Sequence, residues 1–300
     1  MNTFTAQVAT EDGYQLAEGP VWDPLRERLL WVDIQSGRVH FGRLVASPAG
    51  DRIEPAGDLS FPETIGAVVC AEDGRLLVAG RNRVFSVSGA AEDRIVGIPI
   101  LPETVDSRLN DGGCDPSGRF LIGSMALDGR RGSEMLCRIV EDGSVETIDA
   151  DLNLSNGLAW SPDGRTMYSI DTVPGVVWAR SYDPEFGVLG ARQELFRPVD
   201  GSPDGMCVDV EGNLWIAIWG AGQVRCYSPA GELLARVQVN APHTSSVAFA
   251  GPYLDLLIIT TARDGLSAED LANFPDSGRL FTARVATSGA PVPYWSGSPA

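Results

Sequence analysis

The chain has 300 residues, of which 44% are hydrophobic, enough to bury a sizeable core. Its 23 basic and 40 acidic residues give a formal net charge of −17, a surface that repels phosphate backbones and anionic lipid and so excludes nucleic-acid and membrane partners from the expectation. Cys70, Cys114, Cys137, Cys207 and Cys226 are odd in number and form no CxxC pair, so they read as small buried hydrophobes of a reducing compartment, not as a disulfide framework or zinc site.

In chain order, the first residues carry no basic and apolar leader, and no run approaches the roughly 20 apolar residues of a membrane span. The cytoplasm is the expected location. Phe4–Ala9 alternates and reads as a strand. After it, short strands rich in Val, Ile, Leu, Phe and Trp alternate with Asp/Gly/Pro turns, an all-β pattern. The turns repeat. Glu18–Pro24 leads to Leu29–Asp33 and Gly37–Phe41. Gly66–Gly74 leads to Leu76–Ala79 and Arg83–Val87. Gly112–Gly118 leads to Phe120–Gly123 and Met135–Ile139. Asn156–Gly164 leads to Thr166–Ile170 and Val176–Ala179. Asp204–Gly212 leads to Leu214–Ala217 and Gln223–Tyr227. Ser246–Pro252 leads to Leu256–Thr260 and Gly278–Thr282, with one short helical turn at Ser267–Asn273.

The anchors Gly19, Gly66, Gly112, Gly157 and Gly205 lie 47, 46, 45 and 48 residues apart, and Ser246 follows 41 later. A period in the forties with about four strands per repeat is the signature of a β-propeller; a β-sandwich would not give this regular spacing. The expectation from the period is an all-β, six-bladed propeller. One domain fills residues 1–300, with blades opening near 18, 65, 110, 156, 204 and 245. Phe4–Ala9 should add a strand to the last blade, because a ring of sheets must hide its open edges.

Innermost propeller strands crowd the axis, where close backbone approach favours glycine. The residues just before the anchor glycines should then face the channel mouth: Glu18, Ile65, Asn110 with Asp111, Asn156, Asp204, and Thr244 or Ser245. Asn-Gly and Asp-Gly are also the commonest turn formers. Their recurrence at equivalent places is less easily dismissed as turns alone, so a turn role and a metal or polar-ligand site both stay open on spacing. The rest of the chain limits the chemistry. His40, in a predicted outer strand, reads as a packing or surface residue, and His243 as a loop residue in preference to one facing the mouth; with only these two histidines a three-histidine zinc site is impossible. There is no GxSxG elbow, phosphate loop or GxGxxG fingerprint. Carboxylate and amide oxygens suit hard ions such as Ca2+, Mg2+ or Mn2+.

The segments Leu16–Trp22, Ser107–Gly112, Ser155–Trp160, Pro203–Cys207 and Thr261–Gly265 resemble, in order, the motifs of the gluconolactonase family, also called regucalcin or senescence marker protein and including luciferin-regenerating proteins. The resemblance implies a six-bladed propeller with a central metal-binding channel, holding one divalent cation on Glu18, Asn156 and Asp204, with calcium first and zinc, manganese, magnesium or iron as alternatives. It implies substrate contacts from Arg108 and Asn110. A family glutamate that touches substrate hydroxyls falls near Asp128, one methylene shorter, and the loop Leu127–Ser133 is shorter than the lid of the animal proteins. Asp111 would bind a second ion or cap the turn, the turn being preferred. Arg263 and Asp264 resemble a family motif but read as a salt bridge or turn. Trp219, near Gly220–Gly222, would wall the pocket or, as a Trp at a strand end more often does, simply pack. The implied activity is metal-dependent hydrolysis of a sugar (aldono-)lactone, with Asp204 as both ligand and water-activating base. The same site would also suit another ester or organophosphate hydrolase, or a non-catalytic calcium-binding regulator. The partner expected is a small-molecule sugar lactone.

Overall fold

The computed structural model describes residues 1–47, 50–88, 97–140 and 142–297. Two short strands, β1 (Asn2–Thr5) and β2 (Gln7–Val8), precede the blades. Blade 1 comprises β3 (Ala17–Asp23), β4 (Arg28–Asp33), β5 (Arg38–Val45) and β6 (Arg52–Ser60). Blade 2 comprises β7 (Ala67–Cys70), β8 (Leu76–Ala79), β9 (Arg83–Val87) and β10 (Ile98–Pro99). Blade 3 comprises β11 (Ser107–Cys114), β12 (Phe120–Ala126), β13 (Glu134–Ile139) and β14 (Val145–Leu152). Blade 4 comprises β15 (Ser155–Trp160), β16 (Thr166–Asp171), β17 (Val176–Ser181) and β18 (Gln193–Phe196). Blade 5 comprises β19 (Ser202–Val208), β20 (Leu214–Trp219), β21 (Gln223–Tyr227) and β22 (Leu233–Gln238). Blade 6 comprises β23 (Thr244–Ala250), β24 (Leu256–Thr261) and β25 (Phe281–Arg284). Each sheet is a meander in chain order, and the first strand of each blade touches the first strand of the next, with β23 returning to β3. This is a six-bladed β-propeller.

Apolar side chains on the two faces of each blade meet those of its neighbours, so the core lies between blades. One cluster joins Val224, Val237, Phe249, Leu257 and Phe281 across blades 5 and 6. Another joins Leu30, Val32, Ile65, Val68 and Val78 across blades 1 and 2. His40 packs as expected, stacked on the fully buried Trp31 at 5.4 Å. The short helix α1 (Ala268–Asn273), inserted before β25, opens on a capping box between Ser267 and Asp270. Cys70, Cys114, Cys137 and Cys226 are buried as free thiols, and Cys207 is half-buried. Among the described residues no helix is long and apolar enough to cross a membrane.

The N-terminal clasp differs from the single strand expected over Phe4–Ala9. β1 runs parallel to β22 and makes a fifth strand on blade 5, while only Gln7–Val8 pairs with β25 to complete blade 6. The Ala6 N–H donates to Gln238 O and the Ala9 N–H to Leu280 O, and Ala9 O in turn accepts from the Ile53 N–H of blade 1. The segment thus crosses from one blade to the next and covers two open edges where one strand would cover one.

The C-terminal segment, which carries no repeat motif, closes the opposite end of the ring. Its Ala290 N–H donates to Val208 O, Trp295 N–H to Cys70 O and Ser296 N–H to Gly118 O, so it straps blades 5, 2 and 3 together at the ends of the inner strands away from the anchor residues. A cavity of about 410 Å³ lies beneath it, walled by Leu158, Trp160, Met206, Phe249 and Pro291 among others.

Phe281 is 1% exposed and pairs with Val8 at the ring closure. Phe281→Ala should lower stability by about 3–5 kcal/mol through the cavity it leaves. Chemical denaturation of the purified variant measures this; a loss below about 1 kcal/mol would mean that the blade 5–6 interface does not hold the ring shut.

Candidate functional site

Five of the six inner strands carry a break in register with the next strand. The breaks fall between Glu18 and Val21, Leu109 and Gly112, Asn156 and Leu158, Pro203 and Met206, and Thr244 and Ser246. A bulge bends its strand and re-aims the side chains beside it. The residues inside the breaks are Gly19 and Pro20, Asn110 and Asp111, Gly157, Asp204 and Gly205, and Ser245, and Glu18 and Asn156 are the last paired residues before their breaks. These are the positions that the anchor glycines mark in the sequence, and the glycines show why. A Cβ on Gly157 would stand 2.6 Å from Asp204 O, so a side chain there would push blades 4 and 5 apart. Gly19 has open space but a φ of +50°, which favours glycine for conformational reasons.

The side chains converge from separate blades. Arg108 Nη1 donates to Asn110 Oδ1 at 2.7 Å and to Leu109 O at 3.1 Å. Asn110 Nδ2 crosses to blade 4, donating to Ser155 O at 3.0 Å and Asn156 Oδ1 at 3.3 Å. Asn156 Nδ2 donates to Thr172 Oγ1 at 3.0 Å, and that hydroxyl donates to Pro203 O at 2.8 Å, beside Asp204. This chain fixes the Asn156 amide with its oxygen facing Asn110 and its nitrogen facing Thr172. Thr172 does not stand out in the sequence; its signal is its place at the turn after β16, opposite the bulge of β15.

Glu18, Asn156 and Asp204 are each no more than 8% exposed. Glu18 Oε2 accepts the Gly19 N–H at 3.1 Å. Burial raises its pKa, and the charge of Asp111 raises it further. The Asp204 carboxyl is raised well above its ordinary range by burial, then by Glu18 and Asp111; the adjacent Asn156 amide and Arg108 pull the other way. Asp204 Oδ1 is buried with no hydrogen-bond partner. Asp111 Oδ1 caps the bulge by accepting the Gly112 N–H at 2.8 Å, as a turn cap would, but its carboxyl also belongs to this cluster and burial pushes it up to about 6. Arg108, 5% exposed, is the positive counterweight; burial lowers its pKa to about 10 against the pull of Glu18, Asp204 and Asp264.

Blade 6 supplies closure at its bulge. Ser245 Oγ donates to Ala17 O at 2.6 Å, tying β23 to β3. Arg263 and Asp264 form a turn whose two N–H groups donate to Gln15 O at 2.9 Å each. Asp128 is exposed on the loop after β12, and its carboxylate pairs with Arg130 at 2.8 Å. Arg130 also contacts Ser107 Oγ and, at 2.9 Å, Glu134.

The donor set bears on a cation in two ways. Among the described residues no three His, Cys, Asp or Glu side chains cluster as ligands. Two carboxylates and one amide oxygen remain, all hard donors, with one carboxylate oxygen buried and unsatisfied. Buried polar atoms in folded proteins almost always have partners. A divalent ion with oxygen preference fits this set.

Residues 16–263 match the family model described as the SMP-30/Gluconolactonase/LRE-like region. The chain belongs to this family. A pentonolactonase of Haloferax volcanii is 36% identical over 302 residues, covering 96% of this chain and 97% of that protein. A 6-deoxy-6-sulfogluconolactonase of Pseudomonas putida is 34% identical over 291 residues, covering 94% and 95%. The crystal structure of a calcium-binding protein, regucalcin, from Agrobacterium tumefaciens superposes with a TM-score of 0.88 at 26% identity, covering 98% of each chain.

Asp204→Asn keeps the shape and removes an uncompensated buried charge. In chelator-treated protein the variant should melt at the wild-type temperature or above it. Added Ca2+ should raise the wild-type Tm and leave the variant's unmoved, since an ion that binds only the folded state stabilises it by mass action. Differential scanning fluorimetry with and without Ca2+ reads both arms. A variant that still gains stability from Ca2+ would remove Asp204 from the ion site.

Proposed function

We propose that this protein hydrolyses a sugar lactone, an aldonolactone, to the open aldonic acid, with one divalent cation, calcium first, held by Glu18, Asn156 and Asp204. The observation that carries this reading is the unsatisfied Asp204 Oδ1 beside Glu18 and Asn156, next to a buried arginine. The names of the lactonase relatives supply the substrate class. A bound cation supplies Lewis acidity toward an ester carbonyl.

The chain's own groups do the rest. Arg108 uses Nη1 on Asn110 and Leu109; its Nε and Nη2 have no partner among the described residues and are not sealed from solvent. Those donors hold sugar hydroxyls and so orient the ring. Asn110 gives both amide hydrogens to blade 4 and its oxygen to Arg108, so it holds Arg108 and Asn156 in register. Asp128 reaches a substrate hydroxyl only by sharing its carboxylate with Arg130. Asp204 accepts a proton from the attacking water as the new C–O bond forms. The ring C–O bond then breaks, and that proton passes to the departing ring oxygen. Water is consumed and no other reactant is needed.

A second reading is calcium binding without turnover, favoured by the description of the regucalcin structure as a calcium-binding protein. A panel of δ- and γ-aldonolactones separates the two. Turnover should be lost with chelator and return with Ca2+ or another divalent ion. Calcium binding with no turnover of any lactone would decide for the second reading.

Arg108→Ala should lower kcat/KM for an aldonolactone by roughly ten- to a hundred-fold, from about 1.5–3 kcal/mol of charged hydrogen bonding. It should lower kcat/KM for δ-valerolactone, which has no hydroxyls, far less. Equal losses on both would place Arg108 in the support of the ion site.

A further inference from the structure

The wall of the mouth formed by blades 5 and 6 is aromatic. Trp219 ends β20, where it pairs with Ser202, two residues before Asp204. It forms a bridge to His243, and the two rings stack at 4.1 Å and 20°. From blade 5 the indole packs against the apolar cluster of blades 1 and 2, which also takes in Leu16 and Ala262. His243 Nδ1 lies 2.9 Å from Asp264 O. A carbonyl only accepts, so Nδ1 carries the proton and Nε2 is an acceptor. Nε2 has no hydrogen-bond partner among the described residues and is not sealed from solvent. Trp219 pairs with Ser202, two residues before Asp204, and His243 directly precedes the Thr244–Ser246 break of blade 6, so this wall stands at the end of the axis where the polar cluster gathers; Asp264 is also within electrostatic reach of Arg108. Burial lowers the His243 pKa, opposed by Asp264 and Asp270, which agrees with a neutral ring.

We propose that the Trp219–His243 pair is the specificity-determining wall of the site: the indole covers the C–H face of the lactone ring, and His243 Nε2 accepts a hydrogen bond from a ring hydroxyl. The proposal rests on the lactonase reading. A sugar lactone offers hydroxyl hydrogens as well as hydroxyl oxygens, and Arg108 serves only the oxygens. On the blade 3 side the acceptor Asp128 is held by Arg130. His243 is a neutral acceptor already fixed in tautomer and orientation. Hydroxyl recognition at this wall also makes sense of a pair otherwise odd at a wet rim, an aromatic stack with an open nitrogen.

The test is steady-state kinetics of the calcium-loaded full chain on an aldonolactone and on δ-valerolactone. His243→Phe keeps the stack and removes the acceptor. It should raise KM for the aldonolactone roughly three- to tenfold with kcat little changed, and leave δ-valerolactone unaffected. Trp219→Leu keeps apolar packing but loses the flat face, and should raise KM for both substrates. His243→Gln returns an acceptor and should recover part of the aldonolactone loss. Thermal melts check that each variant is folded. If wild-type protein turns over the aldonolactone and His243→Phe matches its KM, the proposal is overturned while the lactonase reading stands. If wild-type protein turns over no lactone, that reading falls and takes this wall's role with it. If His243→Phe loses both substrates equally, the residue supports the fold of the mouth and does not read hydroxyls.

Discussion

Two carboxylates buried side by side, with one arginine near them, set the terms for the rest of this molecule. The charge of Glu18 makes Asp204 harder to ionise, and Asp111 adds to the cost for both. Taking an ion out of water costs several kcal/mol even after relaxation, and removal of one partner from such a set leaves the rest uncompensated. Arg108 carries a single positive charge and is itself buried enough to be disfavoured. The cluster is therefore short of positive charge as it stands. A divalent cation is the simplest remedy, because it brings two charges and accepts the oxygen that no protein group satisfies. Strain of this kind survives only where the surrounding structure over-determines it, and six blades of interlocked sheet do so.

The propeller supplies that rigidity by a simple device. Inner strands must pass close to one another around the axis, which requires small residues, and each then needs a way to turn a polar side chain toward the mouth. The bulge meets the second need. Between Asn156 and Leu158, and between Pro203 and Met206, the ladder slips; Asn156 is the last paired residue before its slip, and Asp204 sits in the other. The hydrogen-bond chain from Arg108 through Asn110, Asn156 and Thr172 to Pro203 then locks three blades in one register. Asn110 and Thr172 work through their neighbours; their effect is to decide which oxygen of which amide is available.

Much of this is legible in the amino-acid sequence. The period shows in the Asp-Gly and Asn-Gly anchors, since the same backbone crowding recurs in each repeat and selects the same small residue. The polar neighbours of those glycines follow from it. Three things are not legible, each for a physical reason. A single alternating segment cannot say that it will change partner midway, so the split of Phe4–Ala9 between blades 5 and 6 lies outside pattern reading. Thr172 is one threonine among many until the Asn156 amide is seen to need a partner. The strap from Ala290 to Ser296 is irregular chain held by backbone hydrogen bonds, and backbone bonds leave little trace in composition. Asp111 shows the converse: its cap on Gly112 is expected, but its charge reaches Glu18 only because the inner strands of blades 1 and 3, on either side of blade 2, converge toward the axis.

The two ends of the channel differ in kind, and this gives the molecule a direction. At one end, polar side chains from blades 1, 3, 4 and 5 gather around unsatisfied oxygen, and an aromatic pair stands on blades 5 and 6. At the other, the C-terminal strap crosses over Leu158, Met206 and Phe249, and among the described residues that wall the cavity there none is an Asp, Glu, His, Lys or Arg. A polar substrate has nothing to gain from the apolar end. On the proposed reading it would enter at the polar end, where water can leave in exchange for hydrogen bonds, and stop at the carboxylates. Arg108 belongs to blade 3, and on the proposal above the His243 acceptor and the flat indole of Trp219 belong to the wall of blades 5 and 6. A ring bearing hydroxyls can satisfy both at once only in a restricted set of orientations. On the proposed lactonase reading, selectivity comes from matching donors and acceptors on these two sets of blades, while the ester bond would lie over Asp204.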